Sequence, residues 1–258
     1  MKIALFSDVH ANLPALEAVL GDLDARDDIE AVYHLGDLVG YAPWPNEVAG
    51  LIRGRAIQGV GGNYDSTVAA GYVHCGCTYE DPVQAELSHE SYAWTLEHTS
   101  ADTKQWLGSL PFRLDLRPLG GHRAGPRIML IHGNPILNTV YWKEGRSDAF
   151  CSKMADHLGA RAGDLVAFGH THVPWSREVG GVLFVNTGSV GRPKDDDPRA
   201  GYVIVEWDDQ GMRAGTVRLA YDVARAARAI RESALPDAFA TFLETGGRIS
   251  RPHPADPD

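Results

Sequence analysis

The stretch KIALFSDVHANLPALEAVLGDL, residues 2–23, decides the reading of the fold. Residues 2–7 form a short apolar run that stops at Asp8, the pattern of a buried strand. Leu13, Leu16, Val19, Leu20 and Leu23 then recur at helical spacing. A second apolar run, AVYHL at 31–35, stops at Gly36-Asp37. A helix is expected over 46–52, just after Pro45, and a third strand over 56–60, closed by Gly61-Gly62-Asn63. Strands alternating with helices in this way build β-α-β units around a largely parallel sheet.

The rhythm breaks over residues 66–125, which hold His74-Cys75-Gly76-Cys77 and two helical stretches, 83–94 and 103–110. This segment reads as a helical insert lying over one edge of the core. Strands resume at 127–131 and 164–168, ending in His132-Gly133 and Gly169-His170. Four more, at 173–178, 182–185, 202–207 and 213–219, read as antiparallel hairpins. Helices follow at 222–232 and 236–243, and the Pro- and Asp-rich end reads as a disordered tail. The expected organisation is one domain over 1–245, with the insert at 66–125, terminal helices within 221–245 and a tail at 246–258.

Composition excludes several classes. The 258 residues are 44% hydrophobic, so disorder along the whole chain is excluded. The net charge of −10 comes without a Lys/Arg stripe, which argues against long nucleic acid as a partner. Apolar runs such as IMLI and LVAF stop at about four residues, so no membrane span is expected. Asp8 interrupts any signal-peptide core, and 3 cysteines make no disulfide scaffold; a cytoplasmic setting is the expectation. The oligomeric state stays open.

Five strand ends share one grammar: an apolar run, a glycine or serine, then polar residues able to bind metal. They are Ser7-Asp8-Val9-His10, Gly36-Asp37, Gly62-Asn63, His132-Gly133 and Gly169-His170-Thr171-His172. In an open α/β sheet ligands gather at the carboxyl ends of strands, so these segments meet at one rim. Asp8, His10, Asp37, Asn63, His132, His170 and His172 are ligand groups enough for two cations if one carboxylate bridges. A single Asp or His there would be a cap or core residue; seven together point to a centre. Mixed imidazole and carboxylate ligands suit Mn, foremost, or Fe, Zn, Co and Ni better than Ca or Mg. Two such ions suit phosphoryl chemistry, because they activate water and hold the phosphoryl oxygens.

The five motifs, in this order, resemble the calcineurin-like metallophosphoesterase superfamily over residues 1 to about 220. GDLVGYAPWPNEV and NTGSVGRPKDDDPRAGY further resemble its small bacterial and archaeal phosphodiesterase-like branch. The resemblance implies an α/β fold of the α+β sandwich type, with mixed sheets flanked by helices. It implies one metal on Asp8, His10, Asp37 and His172, and another on Asp37, Asn63, His132 and His170. It also assigns Asp37, Asn63, His132 and Tyr64 to the catalytic positions. Tyr64 stands where many members carry a histidine that protonates the leaving oxygen. Tyrosine, with an ordinary pKa of about 10, suits that task poorly, so His74 or His89 of the insert is the alternative acid.

The implied activity is hydrolysis of a phosphomonoester or phosphodiester by metal-activated hydroxide. The partner is a small phosphorylated substrate or a phosphoprotein. A protein phosphatase, a dinucleoside polyphosphate hydrolase, a one-metal zinc hydrolase and a non-catalytic scaffold remain as alternatives. Asn12 reads equally as a substrate contact or as the cap of the first helix. Arg192 and Lys194 read equally as phosphate contacts or as part of a solvated turn with Asp195–Asp197. His34 reads as a core histidine or a support to the ligands. HCGC allows zinc, a strained disulfide or simple packing.

Overall fold

The computed structural model describes residues 1–78, 81–117, 126–208 and 211–248. Its first sheet has the order β10-β9-β1-β2-β3, with β1 at Lys2–Phe6, β2 at Ala31–His34, β3 at Gln58–Gly59, β9 at Ala200–Asp208 and β10 at Gly211–Leu219. Strands β1, β2 and β3 run parallel, and β9 joins β1 antiparallel. The second sheet has the order β4-β5-β6-β8-β7, with β4 at Leu114–Leu116, β5 at Ile128–Leu130, β6 at Leu165–Phe168, β7 at Trp175–Val179 and β8 at Val182–Asn186.

The period-two alternation of β1 shows how the layers stack. Ile3 and Leu5 join a core with Ile128, Leu130, Leu165 and Ala167, so the two sheets pack face to face. Ala4 and Phe6 point the other way, into helices α1 (Leu13–Asp24), α2 (Pro45–Gly54), α7 (Val223–Glu232) and α8 (Ala238–Thr245). On the second sheet, Met129, Val166 and Phe168 pack outward against α6 (Asp148–Leu158). The result is an α/β fold of two mixed sheets sandwiched between helices. Burial on both faces explains why the central strands read as continuous apolar runs.

Several expectations need correction. Only Gln58 and Gly59 of the 56–60 run form a strand, because Ala56 takes a left-handed φ of 53°. Helix α3 (Asn63–Ala70) begins on the proposed ligand Asn63 and was not expected, since it carries little apolar stripe. Helix α6 was not expected either. The 66–125 segment contains α4 (Pro82–His98) and α5 (Ala101–Leu107), yet it also supplies β4, which pairs antiparallel with β5. The hairpins β7–β8 and β9–β10 are antiparallel as expected, but β8 also lies parallel to β6 and so completes the second sheet. The proposed tail lies outside the described residues from 249 onward. Among the described residues no helix is long and apolar enough to cross a membrane.

Candidate metal centre

The strand ends meet because their loops are laced together by backbone. Asp8 N–H donates to Gly36 O at 2.9 Å, and His10 N–H to Asp37 O at 3.0 Å. Gly169 N–H donates to His132 O at 2.8 Å, and Gly191 N–H to Asp8 O at 3.0 Å. The motif glycines allow this closeness. A Cβ on Gly62 would lie 2.1 Å from Asp37 Oδ1, and one on Gly169 would lie 2.4 Å from Asp8 Oδ2. The turns also bend the ligand residues themselves: Asp8, His10, Asp37, His170 and His172 take φ between 49° and 66°. That left-handed conformation is uncommon for residues with a Cβ, and Asp and His are among those that enter it most readily.

The side chains form two groups. Asp8, His10 and His172 bring their ligand atoms within 4.8 Å of one another, as do Asp37, His132 and His170. His172 Nε2 lies 3.2 Å from Asp8 Oδ1. Asp37 Oδ2 joins the groups, 3.3 Å from His132 Nε2 and 3.8 Å from His10 Nε2. Asn63 Oδ1 belongs with the second group, 3.1 Å from His132 Nε2, and His170 enters it through Nδ1, 3.2 Å from the same atom. All seven expected ligands therefore sit at one site.

The chemistry of these atoms fits cations. His10 Nδ1 is 3.0 Å from Val39 O, and His172 Nδ1 is 2.6 Å from Arg192 O. Each Nδ1 must carry the proton to bond a carbonyl, which leaves Nε2 with a bare lone pair. The two Nε2 atoms face each other at 3.1 Å. Burial holds both rings neutral, helped by repulsion from His172 at His10 and from Lys194 and Arg192 at His172, with His10 pushed down to about 3 and His172 well below its ordinary value. Two lone pairs at this distance repel unless a positive charge lies beside them. Asp8 Oδ1 is also buried without a hydrogen-bond partner among the described residues, while Oδ2 accepts from Ser7 Oγ and from His170 N–H. Burial and the Asp37 charge push Asp8 upward. Burial alone would raise Asp37 too, but His132, His10 and His170 hold it well below the usual carboxylate range. His132 itself is buried, yet Asp37 and Asp8 raise it to about 9.

The other expected residues are placed less uniformly. Tyr64 is 2% exposed and borders the small pocket above the ligands. Its ring packs edge-on against His10, and it shares a hydrogen bond with Tyr41. Asn12 caps α1: its Oδ1 accepts from Ala15 N–H, and its Nδ2 donates to Gly191 O and Tyr221 Oη. With every polar atom engaged and none exposed, Asn12 is structural rather than a substrate contact. Arg192 is corrected similarly. Its guanidinium sits 3.9 Å above Tyr41 and 4.0 Å from Phe242, in an aromatic cage closed by α8, and is 2% exposed. Lys194 instead borders the pocket, where burial and Arg192 lower its ammonium to about 7. His74 and His89 are exposed, and neither borders the pocket. His34 is a fully buried core residue.

Sequence reasoning missed some contributors. Asp65 accepts from Leu38 N–H and Gly62 N–H, both at 2.9 Å, and so ties the GD loop to the start of α3. Its place three residues into a helix was the available signal. Cys75 and Cys77 form no disulfide among the described residues, and Cys77 Sγ accepts from Asn63 Nδ2 at 3.2 Å. Tyr141 stacks on His170 at 4.5 Å. No motif announced it.

Comparison with known proteins agrees with this geometry. A metallophosphoesterase from Sphaerobacter thermophilus shares 30% identity with a TM-score of 0.73, covering 95% of this chain and 99% of that one. Hypothetical protein PH1004 from Pyrococcus horikoshii shares the fold, with a TM-score of 0.80 at 21% identity over 96% of this chain and 99% of its own. Phosphodiesterase YfcE of Escherichia coli is 26% identical over 218 residues, 81% of this chain and 89% of its own length. Residues 1–210 match the family model described as the calcineurin-like phosphoesterase superfamily domain. With that match spanning most of its length, and with seven metal-competent side chains converging at the strand ends, the chain belongs to the calcineurin-like phosphoesterase superfamily.

Proposed function

We propose that the protein is a dinuclear metal-dependent phosphoesterase that hydrolyses phosphomonoesters or phosphodiesters. The observation that carries this reading is Asp37 Oδ2, which lies within 3.8 Å of a nitrogen ligand in each group. Asp8, His10, Asp37 and His172 would hold one divalent ion; Asp37, Asn63, His132 and His170 would hold the other. Bound there, the ions supply a nucleophile from water at neutral pH and neutralise charge on the phosphoryl oxygens. The chain's own residues do the rest. Asp37 would be shared by both ions, and the carbonyls of Val39, Leu35 and Arg192 aim three imidazoles inward. Lys194 adds positive charge at the mouth for an incoming phosphate ester.

Manganese is the metal we expect, with Fe, Zn, Co and Ni as competent substitutes. A diester substrate is favoured by the likeness to a relative named as a phosphodiesterase. The test is metal content after loading, followed by turnover of bis-p-nitrophenyl phosphate with Mn²⁺. Two metals per chain and turnover are expected. One metal per chain would point to a one-metal hydrolase. Two metals without turnover of any mono- or diester would point to a scaffold.

A further inference from the structure

A cavity of about 650 Å³ opens beside the metal centre, and nothing above assigns it a role. It shares Tyr141 and Lys194 with the small pocket over the ligands, which measures only about 10 Å³, the space of one water. The larger cavity is thus the adjoining space open to the ester arm of a phosphate held at the centre, and its volume is that of an ordinary small-molecule site.

The lining has a definite chemistry. Lys194 and Lys143 make no ion pair with any described residue, and Glu144 is the one carboxylate among the described lining residues. The excess of positive charge suits an anion. Tyr141, already stacked on His170 at 4.5 Å and 19°, offers an aromatic surface at the junction with the centre. Val173, 37% exposed, adds apolar area, and Gln84 and Thr78 supply amide and hydroxyl groups able to read the edge of a heteroaromatic ring. Aromatic surface, edge-reading polar groups and unpaired ammonium groups together match a base, a sugar and phosphate.

We infer that this cavity is a nucleoside subsite, and that the phosphoesters cleaved at the adjoining centre are nucleotides. The inference rests on the phosphoesterase reading for its substrate role, though not for binding itself. The base extends the Tyr141–His170 stack, and Lys194 and Lys143 contact phosphate oxygens.

The test uses non-hydrolysable phosphonates on the zinc-loaded protein, with calorimetry as the readout. The probes are adenosine 5′-methylenephosphonate, the matching ribose 5-methylenephosphonate and methylphosphonate. The adenosine compound should bind at least ~10-fold more tightly than either of the others, the scale of one base stacked on an aromatic side chain. Gly145→Trp should remove that preference. Gly145 borders the cavity, and a Cβ there meets nothing within 4 Å, so the backbone admits the substitution and the indole adds bulk at the cavity wall. Lys143→Glu, at an exposed position, is the second variant and should weaken the adenosine probe at least 3-fold. Equal affinities for all three probes would overturn the subsite. So would a ribose probe as tight as the adenosine probe, or an adenosine preference that survives Gly145→Trp. Turnover of bis-p-nitrophenyl phosphate, measured in parallel, reports on the hydrolase reading alone. Turnover without adenosine preference sinks only the subsite; adenosine preference without turnover sinks only hydrolysis.

Discussion

The side-chain amide of Asn63 donates to Cys77 Sγ across 3.2 Å. The same amide reaches Cys75 O at 3.2 Å, so the segment after α3 holds one face of a proposed ligand while the other face meets His132. Outer partners of this kind commonly tune metal affinity by 10- to 100-fold. Cys77→Ala should therefore weaken one of the two metals by about 10-fold and leave the other unchanged. Sequential binding isotherms with Zn²⁺ would show two separated affinities in the variant. Two unaltered affinities would mean that the thiol does not orient Asn63.

Asp37→Asn should be the most damaging single ligand change. It removes the charge shared by both groups but keeps the shape that accepts Tyr64 N–H at 2.9 Å. Loss of bound metal together with at least ~10²-fold lower turnover is expected. Full activity with two metals per chain would take Asp37 out of the bridging position.

Tyr64 leads to a leaving-group prediction. With His74, His89 and His98 exposed and outside the pocket over the ligands, no described histidine of the 66–125 segment stands ready to protonate a departing alkoxide. Turnover should fall steeply along a series of esters with increasingly basic leaving groups. Tyr64→Phe should barely change hydrolysis of nitrophenyl esters, and Tyr64→His should help alkyl esters most. A flat series in the wild type that steepens only in Tyr64→Phe would make Tyr64 itself the acid.

His34 predicts an acid-sensitive fold. Burial pushes its pKa down to about 3, and neither ring nitrogen has a hydrogen-bond partner among the described residues. An unfolded histidine titrates near 6.5, so below that pH the unfolded chain takes a proton that the folded chain refuses. Stability is thus complete above pH 6.5 and declines as pH falls from 6.5 toward 3, by about 1.4 kcal/mol per unit from this group. Urea unfolding of metal-free wild type and His34→Leu at pH 7, 6 and 5 measures it. The advantage of the leucine variant should grow at each step down; parallel stability profiles would refute the assignment.

The centre was more legible than its surroundings, for a physical reason. The proposed ligands combine a metal-competent residue type with a place at a strand end, so Asp8, Asp37 and His170 announce themselves by type and place. Asn12 and Arg192 each kept two readings in the sequence because their residue types serve structural roles as readily as substrates; only their partners, Ala15 N–H and Phe242, distinguish the roles. Helix α3 was missed because a short helix carrying a ligand at its first residue needs no apolar stripe. Cys77 reaches Asn63 across 14 positions of chain, a closeness that tertiary packing alone creates.

The left-handed turns at Asp8, His10, Asp37, His170 and His172 bear on how the gene will respond to artificial selection. Each such residue costs the fold on the order of 1 kcal/mol that glycine would not. A library screened for heat resistance alone, without metal, should therefore enrich glycine more readily at the three histidines than at Asp8 and Asp37, whose carboxylates accept backbone N–H groups that glycine would leave unpaired. The winners would be sturdier than the parent and inert, since each gain removes a ligand. Screens for activity would hold the same codons fixed, so the divergence between the two enrichment maps should trace the centre residue by residue.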